Sequence, residues 1–160
     1  MLIIFDLDFT LWDAGGTWCD GTMPPYRRVN GYITDAEDRI IYLYPDVHEI
    51  LSRLNKEGIM MGVASRTHSP EIARTLMELF EIRDYFRYEE IYPGSKVQHF
   101  EMLQRTTKQP FEAMYFFDDE HRNVKEVGEM GVNTYLVLEG LTWTQILESD
   151  LKVLINPQAT

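Results

Sequence analysis

Apolar residues fall along this chain in short runs separated by stretches with helical spacing. The runs are Leu2–Phe5, Met60–Ala64, Tyr88–Tyr92, Met114–Phe117 and Thr134–Leu138. Their length and bounding turn residues predict strands, and the unbroken ones suit strands buried on both faces. Val47, Ile50, Leu51 and Leu54 recur at i, i+3, i+4 and i+7, and Gly58 follows as a stop. Ile72, Ala73, Leu76, Leu79 and Phe80 repeat the pattern after Ser69, a cap, and Pro70, at the first helical position. Val97, Phe100 and Leu103 mark a third helix after Ser95. Val124 and Val127 mark a fourth, ending near Gly128 or Gly131, and a short fifth is expected around Thr144–Leu151. Strands alternating with helices predict an α/β fold, a three-layer Rossmann-like parallel sheet with helices on both faces.

One region breaks the alternation. Residues from about 14 to 44 hold Gly15, Gly16 and Gly21 ahead of Pro24-Pro25, then two β-like runs, Arg28–Thr34 and Arg39–Tyr44. The intervening "DAED" is expected to turn a hairpin. So little apolar surface does not fold alone. We read it as a loop and flap inserted after the first strand, within one domain spanning 1–160.

Polar residues follow several of the predicted strands. Asp6 and Asp8 follow the first, Ser65 and Arg66 the second, and Asp118, Asp119 and Glu120 the fourth. In an open parallel sheet these positions meet at the carboxyl edge, where ligands bind. Asp6 and Asp8 share a face of an extended chain. With Asp118 and Asp119 the edge holds four carboxylates, which must take up protons or a cation. All-oxygen donors suit Mg²⁺, and no Cys/His spacing suits zinc. Lys96 starts the third helix, the end where a cation is disfavoured by a few tenths of a kcal/mol to about 1. That broken rule beside a candidate site points to anion binding by Lys96 and the helix N-terminus.

Charge narrows the partners. The chain carries 15 basic and 26 acidic residues, a net charge of −11. So acidic a surface disfavours nucleic acid. No apolar stretch is long enough for a bilayer, and the opening residues lack the pattern of a signal peptide. Cys19 is the only cysteine, which fits a reducing cytoplasm. A monomer is expected, since no exposed apolar pattern demands a partner.

Taken singly, each candidate has a plainer explanation: a solvated turn for Asp6 and Asp8, a cap for Ser65, a surface cation for Arg66 or Lys96. Together, "DLDFT", "ASRT", the lysine of "PGSK" and "FFDDE" resemble, in order, the four motifs of the haloacid dehalogenase (HAD) superfamily. The longer stretches "FDLDFTLW", "LYPDV", "EIYPGSKV" and "FFDDEHRNV" are similar to its magnesium-dependent phosphatase-1 family. The resemblance implies a HAD-type fold with a small flap and no large cap domain. It implies Asp6 as nucleophile, Asp8 as general acid and then base, and phosphoryl binding by Ser65, Arg66 and Lys96. It also implies Mg²⁺ held by the Asp6 carboxylate, the Asp8 main-chain carbonyl and the late acidic pair. Asp119 is the expected direct ligand, with Asp118 acting through water or Lys96.

The expected activity is Mg²⁺-dependent hydrolysis of a phosphomonoester through an aspartyl-phosphate. Sugar phosphates, aryl phosphates and phosphotyrosine on a protein all fit, so the partner is a small phosphorylated substrate or a phosphotyrosine protein. The alternative is a phospho-accepting signalling or binding module with little turnover. A second acid two residues past the acceptor argues for turnover.

Overall fold

The computed structural model describes residues 1–152, so the last residues of the expected 1–160 domain, 153–160, lie outside it. Alternation within the first strand sets the layers. In β1 (Leu2–Phe5), Leu2 and Ile4 join one buried cluster, and Ile3 and Phe5 join another. A strand covered on both faces has no polar position to spare, which is why its sequence is an unbroken apolar run.

β1 pairs in parallel with β6 (Met60–Ser65) on one side and β8 (Met114–Asp118) on the other. β7 (Tyr88–Ile91) and β9 (Asn133–Leu136) complete a sheet of order β7-β6-β1-β8-β9. The cluster around Ile3 and Phe5 takes in α1 (Val47–Lys56), α2 (Pro70–Leu79) and α5 (Trp143–Glu148) through Leu51, Leu76 and Ile146. The cluster around Leu2 and Ile4 takes in α3 (Lys96–Thr107) and α4 (His121–Gly128) through Phe100 and Val127. The predicted three-layer α/β arrangement is present. The chain leaves β1 toward β6 and leaves β8 toward β9, so the connections diverge between β1 and β8. A crevice opens at the strand ends there.

The insert forms a second, antiparallel sheet of order β2-β5-β4-β3, from β2 (Trp12–Asp13), β3 (Arg27–Val29), β4 (Tyr32–Thr34) and β5 (Ile40–Leu43). The run Arg28–Thr34 expected as one strand is a hairpin in itself. Asn30 and Gly31 both take positive φ, 49° and 86°, as a two-residue type I′ turn requires. The "DAED" turn lies where expected. Asp35 Oδ1 accepts the N–H groups of Glu37 and Arg39 at 3.0 and 2.8 Å. Among the described residues there is no large cap, and no helix is long and apolar enough to cross a membrane.

Candidate active site

Four fully buried side chains anchor β1, each worth about 1.5–3 kcal/mol. That offsets the several kcal/mol per ion of carrying a carboxylate into the protein at its end. Asp6 follows directly, 8% exposed, its N–H bonded to Phe117 O at 2.9 Å. The chain then turns on Leu7, whose carbonyl accepts from Thr10, Leu11 and Trp12 N–H. This turn starts the flap at Trp12 and leaves Asp8, like Asp6, lining the cavity at the strand ends.

A cavity of about 350 Å³ opens over these strand ends. Asp6, Asp8, Ser65, Arg66, Lys96 and Asp119 line it, with Trp18 and Asp20 of the insert, His68 after β6, and Glu120, Arg122 and Asn123 after β8. All the sequence-predicted site residues except Asp118 face this space. Asp118 is fully buried just beneath it.

Lys96 is 1% exposed. Gly94, at φ 128°, turns the chain into the N-cap Ser95, whose Oγ accepts from Val97 N–H at 3.1 Å. Lys96 then points inward. Its Nζ lies 2.6 Å from Asp6 Oδ1 and 3.1 Å from Asp118 Oδ2, and it also donates to Ala64 O. Burial opposes the ammonium charge, but Asp6 and Asp118 outweigh it and hold Lys96 above its ordinary pKa. Burial also pushes the Asp6 carboxyl well above the usual carboxylate range. Lys96 pulls it back, while Asp118 and Asp119 push it further up.

Asp8 Oδ1 accepts two hydrogen bonds, and the Cys19 thiol lies against the same carboxyl. Trp12 Nε1 and Cys19 N–H donate to Oδ1 at 2.7 and 2.8 Å. Burial raises its pKa to about 6, against the downward pull of these donors. Burial likewise raises Asp119 to about 6, with Asp118 adding to it.

The late acidic pair divides by its partners. Asp118 accepts from Lys96, from Asn123 Nδ2 at both oxygens (3.2 and 3.1 Å) and from Glu120 N–H at 2.7 Å. Asp119 faces the cavity and brings a carboxylate oxygen within 4.8 Å of one on Asp6. Two carboxylates so close need a proton or a cation between them. Asp6, Asp118 and Asp119 each offer an oxygen within 4.8 Å of the others. This oxygen-only donor set fits Mg²⁺.

Arg66 Nη1 donates to Asn123 Oδ1 at 3.2 Å, while its buried Nε has no protein partner among the described residues. Several supporting residues carried no sequence signal that we used: Asn123 clamping Asp118, Trp12 and Cys19 N–H holding Asp8, and Thr67 N–H donating to Ser65 Oγ at 3.4 Å. His121 is exposed at the start of α4. The Cys19 thiol is buried and pushed up in pKa by that burial, so it is no nucleophile.

A profile of the acid phosphatase family matches residues 1–153. Magnesium-dependent phosphatase 1 of Homo sapiens is 42% identical, covering 98% of this chain and 90% of its own. A HAD-like hydrolase superfamily protein of Schizosaccharomyces pombe is 34% identical over 81% of each chain. At the level of fold, a HAD family enzyme of Bacteroides thetaiotaomicron, solved with magnesium and inorganic phosphate, superposes with TM-score 0.67. It is 14% identical and covers 92% of this chain and 98% of its own. A haloacid dehalogenase-like hydrolase of Streptococcus pneumoniae gives TM-score 0.65 at 15% identity, covering 96% and 90%. Sequence and fold agree that this chain belongs to the acid phosphatase family, in the magnesium-dependent phosphatase-1 branch of the HAD superfamily.

Proposed function

We propose that the chain is a Mg²⁺-dependent phosphomonoesterase that passes the phosphoryl group through a covalent intermediate on Asp6. The observation that carries this is the convergence of Asp6, Asp8, Ser65, Arg66, Lys96 and Asp119 on one cavity at the ends of β1, β6 and β8. Asp6 supplies the attacking oxygen, and Lys96, on its Oδ1, orients it and offsets negative charge. Ser65 and Arg66 bind the transferring phosphoryl oxygens from the end of β6. Asp6, the main-chain carbonyl of Asp8 and Asp119 would hold Mg²⁺, which when bound neutralises charge on the phosphoryl oxygens. Asp118, saturated by Lys96, Asn123 and a main-chain N–H, supports this set from beneath.

The reaction runs in two displacements. In the first, the Asp6 oxygen–phosphorus bond forms, the ester bond breaks, and Asp8 gives its proton to the leaving oxygen. In the second, water attacks phosphorus, its proton goes to Asp8, and the Asp6–phosphorus bond breaks. Oδ1 of Asp8 is anchored, so Oδ2 exchanges the proton. A pKa of about 6 suits a group that must both give and take a proton near neutral pH.

The cavity accepts a compact phosphate ester, and the flap leaves its mouth open. Trp18, 58% exposed at the rim, offers a face to a sugar or aromatic leaving group. We assign sugar phosphates, aryl phosphates or phosphotyrosine as substrates. Hydrolysis of p-nitrophenyl phosphate tests the scheme. Turnover should need Mg²⁺, stop with EDTA, and vanish in a folded Asp6→Asn variant. Substantial activity in that variant contradicts it.

A further inference from the structure

α3 places a second polar side chain on its buried face, one turn beyond Lys96. His99 is fully buried beside Phe100 and Leu103. Its ring meets three main-chain carbonyls. Nε2 lies 3.1 Å from Ser65 O and 2.9 Å from Tyr92 O, and Nδ1 lies 2.9 Å from Ser95 O. The imidazole also stacks on the Tyr92 ring, with centroids 4.2 Å apart and planes within 7°. Tyr92 is fixed in turn, its hydroxyl donating to Glu90 at 2.7 Å and its N–H to Ser65 O at 3.1 Å.

These contacts join three separate segments: the end of β6, the loop after β7 and the N-cap of α3. A neutral imidazole carries one N–H, so it donates to Ser65 O and Tyr92 O from Nε2 or to Ser95 O from Nδ1, not to all three. A hydrogen on Nε2 lies between two of them. Simple core filling does not call for an imidazole here. A phenyl ring would stack on Tyr92 equally well and leave no buried nitrogen to satisfy.

We propose that His99 is a positioning residue for phosphoryl transfer. It locks Ser65 at the end of β6 to the turn that presents Lys96, and so fixes the separation of the hydroxyl that binds a phosphoryl oxygen and the ammonium that orients Asp6. The inference rests on the phosphatase assignment above. Lys96 reinforces the same lock by donating to Ala64 O, one residue before Ser65. The first turn of α3 therefore holds consecutive carbonyls of β6 through Lys96 and His99. Positioning errors of about 1 Å cost about 100-fold in rate, so a modest loosening here is measurable.

The experiment compares wild type, His99→Phe and His99→Gln in kinetics and in competitive inhibition by orthovanadate, well below each variant's melting temperature. His99→Phe keeps the volume and the stacking and removes the donors. It should lower kcat/KM by about 10- to 100-fold and weaken orthovanadate by a comparable factor. His99→Gln, whose amide can donate to the same carbonyls, should recover part of both. A folded His99→Phe with wild-type kcat/KM and orthovanadate affinity overturns the proposal, as does a Gln variant no better than Phe. Should the Phe variant not fold, nitrogen-15 histidine NMR of the wild type decides. The proposal requires an exchange-protected Nε2–H for His99, and a freely exchanging or absent one refutes it. A wild type without phosphatase activity would instead overturn the assignment of function.

Discussion

Asp8 depends on donors from Trp12 and Cys19 that sequence pattern alone does not expose. The Trp12 indole and the Cys19 main chain both hold Oδ1 and lower a pKa that burial has raised to about 6. Trp12→Phe removes one of them, so the Asp8 pKa should rise. The first step needs Asp8 protonated, so kcat/KM falls as pH climbs through that pKa. In Trp12→Phe the falling limb should move to higher pH, read from a pH series on p-nitrophenyl phosphate. A limb unmoved or shifted to acid would remove Trp12 from this role. Asp6, Asp8 and Lys96 are legible because each breaks a local pattern: acids ending an apolar strand, a lysine at the wrong end of a helix; Ser65 is legible only beside them, at the end of a neighbouring strand. Trp12 and Asn123 break none, and their partners are known only once the chain is folded. His99 left a fainter trace. Lys96, His99, Phe100 and Leu103 follow i, i+3, i+4, i+7 and together form the buried stripe of α3, while Val97, the apolar residue expected there, is only half-buried.

The central strands β1, β6 and β8 lie close to their expected bounds because strands buried on both faces are written as apolar runs, and the helices because they are amphipathic repeats. The flap was read less well. Arg28–Thr34 is a hairpin and not one strand because Asn30-Gly31, the dipeptide that most strongly favours a type I′ turn, sits inside it. Alternation in so short and exposed a hairpin is weak, so turn chemistry carried the information. Gly31 sits at φ 86° with nothing near its Cα that a Cβ would strike, so backbone strain alone sets the cost of a side chain. Gly31→Ala should destabilise by about 1–2 kcal/mol. In a chain of this size each kcal/mol lowers the melting temperature by about 2–4 °C. Calorimetry would measure it, and kcat should not change, because the hairpin tip is not part of the cavity lining. An unaltered melting temperature would mean that the turn relaxes without strain.

Across the whole molecule, the site is held at an electrostatic cost that a cation relieves. Asp8 and Asp119 both titrate near 6 in the folded chain, and burial raises Asp6 as well. Groups raised on folding add stability that is fully present below their unfolded pKa and lost as pH rises through the folded one. For Asp8 and Asp119 that window runs from the model-compound value of 3.8 to somewhat above 6. Glu89 runs the other way. Burial raises it, but Arg83 and Arg74 outweigh burial and hold it low, so its contribution is lost only as pH falls. Comparing melting temperature with and without Mg²⁺ at each pH isolates the site from such groups. The shift should be larger at pH 7.5 than at pH 5, where Mg²⁺ must displace protons from Asp6 and Asp119. An equal or larger shift at pH 5 would place the ion elsewhere.

The most direct test of the covalent scheme is intact-protein mass spectrometry of Asp8→Asn, quenched in acid during turnover of a phosphomonoester with Mg²⁺. With p-nitrophenyl phosphate, whose leaving group departs without an acid, loss of Asp8 slows the second displacement more than the first, so a phosphoryl adduct should accumulate and map to Asp6. It should be absent from Asp6→Asn. Steady turnover with no adduct in either the wild type or Asp8→Asn, or an adduct on another residue, would contradict nucleophilic attack by Asp6.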